Sequence, residues 1–290
     1  MSKSAHKTDA AGRPISGRPR VISFLSGKGG VGKSVLSFNA ATILAAAGDR
    51  KVLLVDADFT AGNLHILANR APEHGIGHFM GGCMSLGEAV TKADDNLDFL
   101  ASTWNGPAVD QADVTGSATT MNRLREQGAK YDFILVDHGS GISSAAIVMA
   151  HGSDINVLVL VPELTSISNC YGLFKTLVET NSNIDCRLLL NRAMMVEEAE
   201  YIHNKFLALT EKFLGQAPPF IGYLFDDDIY RRSIASQRPV LEIDPNSQAV
   251  QGLRDLCAKL TGDQNGPAGR IDITTQREIN NHKAMADIRE

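Results

Sequence analysis

The 290-residue sequence has few cysteines, a single tryptophan and no long apolar segment. Its four cysteines are far apart and form no CxxC pair, which argues against a disulfide framework or a zinc site. No apolar run approaches the roughly 18 residues of a membrane-spanning helix. The first residues lack the apolar stretch of a secretory signal. These absences predict a cytoplasmic protein with reduced thiols at Cys83, Cys170, Cys186 and Cys257.

A strong charge of either sign is also missing. The chain has 28 Lys and Arg residues against 33 Asp and Glu residues, which gives a net charge of −5. This slight acidic excess provides no general attraction to nucleic acid, so we do not expect DNA as a partner. Apolar residues make up 43% and charged residues 21% of the chain, which is typical of a folded protein and excludes a disordered one.

Polar segments stand at both ends of the sequence. Residues 1–20 contain five Lys or Arg residues and one Asp, and we interpret them as a flexible basic arm. Residues 263–290 form a polar tail whose apolar side chains are too sparse for a strong membrane-binding helix. No linker or repeat divides residues 21–262, which we expect to form one domain.

Short apolar runs and amphipathic stretches alternate through this block. The runs are rich in leucine and β-branched residues with little alternation, as expected of strands covered on both faces. They lie at 21–26, 51–56, 97–102, 133–138, 155–161, 186–191 and 220–225. Helical stretches between them lie at 34–47, 118–127, 143–151, 166–180, 196–214 and 247–260. This order predicts an α/β protein with a three-layer, doubly wound and mostly parallel sheet.

A glycine-rich loop, SGKGGVGKS at 26–34, directly follows the first predicted strand. It fits the phosphate-loop pattern G-x-x-x-x-G-K-[ST] and begins a predicted helix, as in P-loop NTPases. Glycines allow backbone N–H groups to surround phosphate oxygens, and the helix N-terminus favours the same anion. Lys33 would bridge the β- and γ-phosphates, and the Ser34 hydroxyl would bind Mg²⁺. The predicted ATP contacts are Gly27, Lys28, Gly29, Gly30, Val31, Gly32, Lys33 and Ser34.

Acidic residues end two of the other predicted strands. Asp56 ends the run at 51–56 and Asp58 follows it, while Asp137 lies one position before the end of the run FILVDH. The carboxyl ends of parallel strands face the ligand crevice, so these carboxylates are expected near the phosphates. Asp56 and Asp137, with Ser34, are the predicted magnesium ligands. His138 is expected to be an ordinary surface histidine.

The second lysine of the loop, Lys28, gives the segment KGGVGKS. This segment resembles the deviant Walker A motif of the MinD/ParA family of P-loop ATPases, and the resemblance extends over residues 20–260. It implies that Lys28 acts on the ATP of the partner in a dimer and that Asp58 orients the attacking water. Lys28 and Asp58 would therefore be the catalytic residues. It also implies that Asn191, at the end of a later strand, contacts the adenine base.

The second acidic strand continues into a loop that departs from the family pattern. The usual D-T/S-x-A-G-I appears as DHGSGI at 137–142. The position is that of switch II, the loop that responds to the γ-phosphate in related enzymes. The departure leaves open a nucleotide-binding scaffold with little hydrolysis as an alternative to an ATPase.

Features outside the site point to one subgroup of the family. The basic arm and the Gly-Ile of switch II resemble the MinD-like flagellar-number regulators of the FlhG/FleN kind. The resemblance implies an ATP-dependent homodimer that acts on an activating or cargo protein and controls the number or placement of flagella. Division-site MinD, which binds the inner face of the membrane, and DNA-partitioning ParA are the alternatives within the family.

Overall fold

The computed structural model describes residues 17–102 and 114–262 of the chain. Within them, one eight-stranded sheet has the order β3-β4-β2-β5-β1-β6-β7-β8. All neighbouring strands are parallel except β3 and β4, which confirms the predicted mostly parallel sheet. The strands are β1 (Arg20–Leu25), β2 (Val52–Ala57), β3 (Thr91–Asp94), β4 (Leu97–Leu100), β5 (Phe133–His138), β6 (Ile155–Leu160), β7 (Cys186–Ala193) and β8 (Phe220–Phe225).

Helices cover both faces of the sheet and complete three layers. Those of the first half of the chain are α1 (Lys33–Ala46), α2 (Leu64–Leu67), α3 (Ile76–Met80), α4 (Leu86–Ala89) and α5 (Val114–Gln127). Those of the second half are α6 (Ser144–His151), α7 (Leu164–Thr180), α8 (Val196–Leu214), α9 (Asp228–Ser236), α10 (Val240–Ile243) and α11 (Gln248–Thr261). Buried side chains of α1 and α11 form one core with the sheet, while α5 to α8 contribute to cores on the opposite face.

The sequence pattern missed the short elements at one sheet edge. Strand β3 has the sequence TKAD and alternates between half-buried and exposed residues, so it lacks the apolar run of a central strand. Its exposed Lys92 and Asp94 are suited to an edge strand, where charge discourages pairing with other chains. Strand β1 begins at Arg20, one residue before the predicted domain. Residues 1–16 of the predicted arm and the predicted tail, 263–290, lie outside the described residues.

The sheet topology places the predicted site at one edge. Strand β1 lies between β5 and β6, and the loop that follows it emerges among the carboxyl ends of parallel strands. Asp56 of β2 and Asp137 of β5 are paired in register, so their side chains leave the sheet next to each other. Ligands of doubly wound sheets bind at such a point. Within 17–102 and 114–262, no helix has the length and apolarity to cross a bilayer.

Candidate functional site

The loop 26–32 joins β1 to α1 and takes a conformation that depends on its glycines. Gly30 and Gly32 have φ values of 78° and 87°, in the left-handed region that favours glycine. At Gly27 an added Cβ would lie 2.3 Å from the backbone oxygen of Asn169. The loop therefore packs closely against the backbone of α7, and its path leaves no room for a side chain at position 27.

A cleft of about 260 Å³ opens over this loop. It is lined by the loop itself, by Asp58 after β2, by Ser140 after β5 and by Arg192 near the end of β7. The volume suits the phosphate part of a nucleotide, and its walls present several backbone N–H groups and two lysines. Arg192 was not predicted from the sequence. It has a φ of 59°, which is uncommon for a residue other than glycine and marks a strained end of β7.

Lys33, the first residue of α1, forms a buried ion pair with Asp137 of β5. Its Nζ lies 2.9 Å from Oδ1 of Asp137, and the two side chains are 7% and 1% exposed. Removing either partner would leave an uncompensated buried charge. The structure therefore brings together the predicted phosphate-binding lysine and the predicted magnesium ligand.

Asp56 is fully buried beside this pair. Its two carboxylate oxygens accept backbone N–H bonds, one from Asp58 at 3.1 Å and one from Leu64 at 3.2 Å. Burial, and then the nearby Asp137, raise the pKa of Asp56 to about 8, because both disfavour its charged form. A cation at this position would allow the Asp56 carboxylate to ionise.

The donor set at this position fits Mg²⁺. Asp56 and Asp137 supply carboxylate oxygens, and Ser34 at the start of α1 supplies a hydroxyl oxygen beside the cleft. In the described part of the chain, no three His, Cys, Asp or Glu side chains form a metal-binding group. Magnesium does not require one, because it is commonly held by one or two carboxylates together with substrate phosphates and water.

Asp58 occupies the turn between β2 and α2, with its carboxylate facing the cleft. Its Oδ1 accepts backbone N–H bonds from Thr60 at 3.2 Å and Ala61 at 3.0 Å, which hold the side chain in place. A Cβ on Gly139 would lie 3.2 Å from the same oxygen. The turn after β2 and the loop after β5 therefore meet at Asp58 and Gly139.

Lys28 lies at the mouth of the cleft and is directed away from the buried pair. Its Nζ contacts the carboxylate of Glu163 and donates to Thr165 Oγ1 at 3.1 Å. The side chain of Lys28 is 34% exposed and that of Glu163 is 55% exposed. Lys28 is thus accessible from outside and is held by the start of α7, a contact that the sequence did not predict.

Asn191, near the end of β7, contacts the loop at Val31 and Gly32. Its Nδ2 donates to the carbonyl oxygen of Val31 at 2.8 Å and would lie 2.6 Å from a Cβ on Gly32. Its Oδ1 is buried and accepts no hydrogen bond. A buried acceptor without a partner is costly, and an N–H donor of a bound ligand would satisfy it.

The prediction that His138 is a surface residue was wrong. Strand β5 continues one residue past Asp137, and His138 pairs in register with Ala57 of β2. The imidazole is consequently 1% exposed, and its Nε2 lies 2.8 Å from Ser23 Oγ. Burial, together with the charge of Lys33, lowers the pKa of His138 to about 3.

Comparison with known proteins agrees with this geometry. The family model described as AAA domain matches residues 19–190, which is more than half of the chain. The antiactivator FleN of Pseudomonas aeruginosa is 25% identical over 262 residues, covering 90% of this chain and 93% of FleN. The septum site-determining protein MinD of Bacillus subtilis is 27% identical over 249 residues, covering 83% and 89%. The chain belongs to the MinD/ParA family of P-loop ATPases.

Solved structures place the MinD/ParA fold over the same region. MinD from Aquifex aeolicus superposes with a TM-score of 0.67 at 25% identity, covering 84% of this chain and 97% of that one. A ParA family ATPase from Chlorobium tepidum has a TM-score of 0.67 at 23% identity, covering 82% and 98%. At 23% identity, the match to the ParA family ATPase shows only that the two chains share a fold. Together they confirm the predicted P-loop NTPase architecture.

Proposed function

We propose that the protein is an ATPase that dimerises on binding ATP, separates after hydrolysis and regulates flagella. The observation that carries the proposal is the cleft at the end of β1, where a buried lysine, three aspartates and a second, accessible lysine converge. The cleft places Lys33 beside Asp137 and Asp58 beside Gly139, while Lys28 stands at its rim. A pocket for a small uncharged ligand would not need this concentration of opposite charges.

Nucleotide binding would use groups that are already close to their working positions. Lys33 would leave Asp137 and pair with the ATP phosphates, and the backbone N–H groups of the loop would surround these phosphates. Mg²⁺, held by Ser34, Asp56 and Asp137, would neutralise charge on the phosphates when bound. The unpaired Oδ1 of Asn191 would accept the amino group of adenine.

Hydrolysis would depend on two residues at the rim of the cleft. Asp58 is fixed by its two backbone donors and would orient water toward the γ-phosphate. Lys28 would reach the phosphates bound by a second copy of the chain, where it would offset the charge of the transition state. For this it must first leave Glu163 and Thr165, its partners within its own chain.

The flagellar role is supported by the relatives. FleN is described as an antiactivator, and the YlxH protein of Helicobacter pylori, described as a flagellum site-determining protein, is 24% identical over 247 residues. YlxH matches 84% of this chain and 82% of its own length. We propose that the ATP-bound dimer contacts an activator or cargo protein in the cytoplasm, with the inner face of the membrane as a weaker candidate site.

Binding of ATP can be tested by replacing Lys33. Lys33→Ala leaves Asp137 unpaired and removes the main cation of the loop, so calorimetry should detect little binding of Mg·ATP. Lys92→Ala is the matched control, because Lys92 is exposed and pairs with the exposed Asp95, away from the cleft. Affinity retained by Lys33→Ala would exclude this loop as the phosphate site. Flagellar counts in the source organism, with and without the gene, test the biological role.

A nucleotide-binding scaffold with little hydrolysis is the second candidate. It is favoured by the departure of switch II from the family pattern at His138–Ser140. Turnover separates the two candidates, because a scaffold binds ATP and dimerises without releasing phosphate. DNA partitioning is disfavoured by the net charge of −5 and would appear as salt-sensitive binding to DNA.

A further inference from the structure

A hydrogen-bonded chain of one imidazole and two hydroxyls lies beneath switch II. His138 Nε2 is 2.8 Å from Ser23 Oγ, which is 2.7 Å from Ser153 Oγ. Ser153 Oγ in turn donates to the carbonyl oxygen of Met149 at 2.9 Å. Ser23 and His138 are 0% and 1% exposed. Buried polar groups that satisfy one another in a low-dielectric interior restrict the geometry around them.

The bond from Ser153 to Met149 gives this chain a direction, because each hydroxyl carries a single proton. Ser153 gives its proton to Met149 and therefore accepts from Ser23. Ser23 has then used its proton, so it accepts from the Nε2–H of His138. In this arrangement the imidazole of His138 donates to Ser23 through Nε2–H.

Strand β1 and its loop hold switch II (137–142) at two points. His138, the second residue of switch II, is bonded to Ser23. Three residues after Ser23, the carbonyl oxygen of Ser26 accepts the backbone N–H of Gly141 at 2.9 Å. The same strand and loop lead into the phosphate-binding helix. The position of switch II relative to the phosphates is therefore coupled to these two contacts.

We propose that His138 is a positioning residue for ATP hydrolysis, holding switch II through Ser23 so that Gly139 stays against the Asp58 carboxylate. This inference rests on the proposed ATPase function. His138 acts through the loop that follows it. Its side chain lies on the face of the sheet opposite to α1, where Val21 and Val136 also pack. Its loss should therefore affect turnover more than nucleotide affinity.

Turnover and affinity in four variants test this assignment. His138→Leu and Ser23→Ala break the same bond from its two ends and should each lower kcat by about 10-fold, as removal of a positioning partner commonly does. Affinity for ATP, measured with a fluorescent analogue, should change by less than about 2-fold because the phosphate loop is intact. His138→Gln places an amide N–H at similar reach and should restore most of kcat. Thr210→Val removes a buried hydroxyl remote from the site and is the control.

Hydrogen exchange of the nucleotide-free protein supplies a readout that does not depend on hydrolysis. The Gly141 amide should exchange faster in His138→Leu and Ser23→Ala than in the parent, and not in Thr210→Val. A His138→Leu variant with parental kcat and parental exchange would overturn the assignment, as would equal losses of affinity and kcat. A parent without ATP turnover would contradict the proposed function, and exchange at Gly141 would still decide whether His138 holds the loop.

Discussion

Ionisation of Asp56 should couple magnesium binding to pH. The pKa of about 8 means that roughly nine in ten Asp56 side chains are protonated at pH 7 without a cation. With Asp56 as the proposed magnesium ligand, Mg²⁺ requires its carboxylate, so binding should release about 0.9 proton at pH 7. Without a cation, the ionised fraction of Asp56 is about 1% at pH 6 and about 50% at pH 8. The magnesium-dependent part of nucleotide affinity should therefore rise by about 50-fold over these two units and level off above pH 9.

Titration calorimetry can count this proton directly. Mg·ADP is added in two buffers of different ionisation enthalpy, and the difference in heat gives the number of protons released. Asp56→Asn is the matched control, because asparagine keeps the shape but cannot ionise. It reports the protons released by the nucleotide phosphates alone. Equal proton release by the parent and Asp56→Asn would refute the reasoning, because Asp56 would then be ionised beforehand or would stay protonated when magnesium binds.

The same ionisation should appear in the stability of the nucleotide-free protein. The folded pKa of Asp56 lies above its unfolded value of 3.8. Its stabilising contribution to the free energy of unfolding is therefore present at low pH and is lost as pH rises to about 8. The folded pKa of His138, about 3, lies below its unfolded value of 6.5, so its contribution is lost as pH falls below 6.5. Each slope is at most about 1.4 kcal/mol per pH unit, and they oppose each other between about pH 4 and 6.5. Denaturation should thus show a decline between pH 6.5 and 8 that Asp56→Asn lacks.

Three further predictions concern the rim of the cleft. Lys28→Ala should bind ATP as a monomer nearly as the parent does but fail to dimerise in light scattering; an ATP-dependent dimer of this variant would exclude action across the interface. Asp58→Ala should keep ATP binding and dimerisation while phosphate release slows by about 10²-fold, and parental turnover would reduce Asp58 to a structural role. Glu163→Gln should release Lys28 and strengthen the ATP dimer by at most about 5-fold, since an exposed ion pair contributes about 1 kcal/mol or less. Glu179→Gln, which removes an exposed partner of Lys175 on the same helix, should leave dimerisation unchanged.

The parts of the site that could be predicted are those formed by residues that are neighbours in the sequence. The phosphate loop combines its glycines, lysine and helix start within nine positions, and Asp56 and Asp137 end apolar runs that are typical of central strands. The partners of Lys28 could not be predicted, because Glu163 is 135 residues away and is brought close only by the packing of α7 against the loop. The burial of His138 depends on one extra residue of strand pairing with Ala57, which no local pattern indicates.

In the nucleotide-free site, two buried groups lack a partner for their charge or hydrogen bond, whereas Lys28 at the rim already has one. Asp56 is kept protonated by burial, and Asn191 Oδ1 lacks a donor. A magnesium nucleotide would meet both requirements at once, so part of its binding free energy would come from relieving costs that folding has left in place. Lys28 differs, because its contact with Glu163 is exposed and weak. The monomer alone would therefore favour the binding of the magnesium nucleotide. Dimerisation would have to displace only the weak contact between Lys28 and Glu163. A partner protein that binds near α7 would then shift the monomer–dimer equilibrium without changing the affinity for ATP.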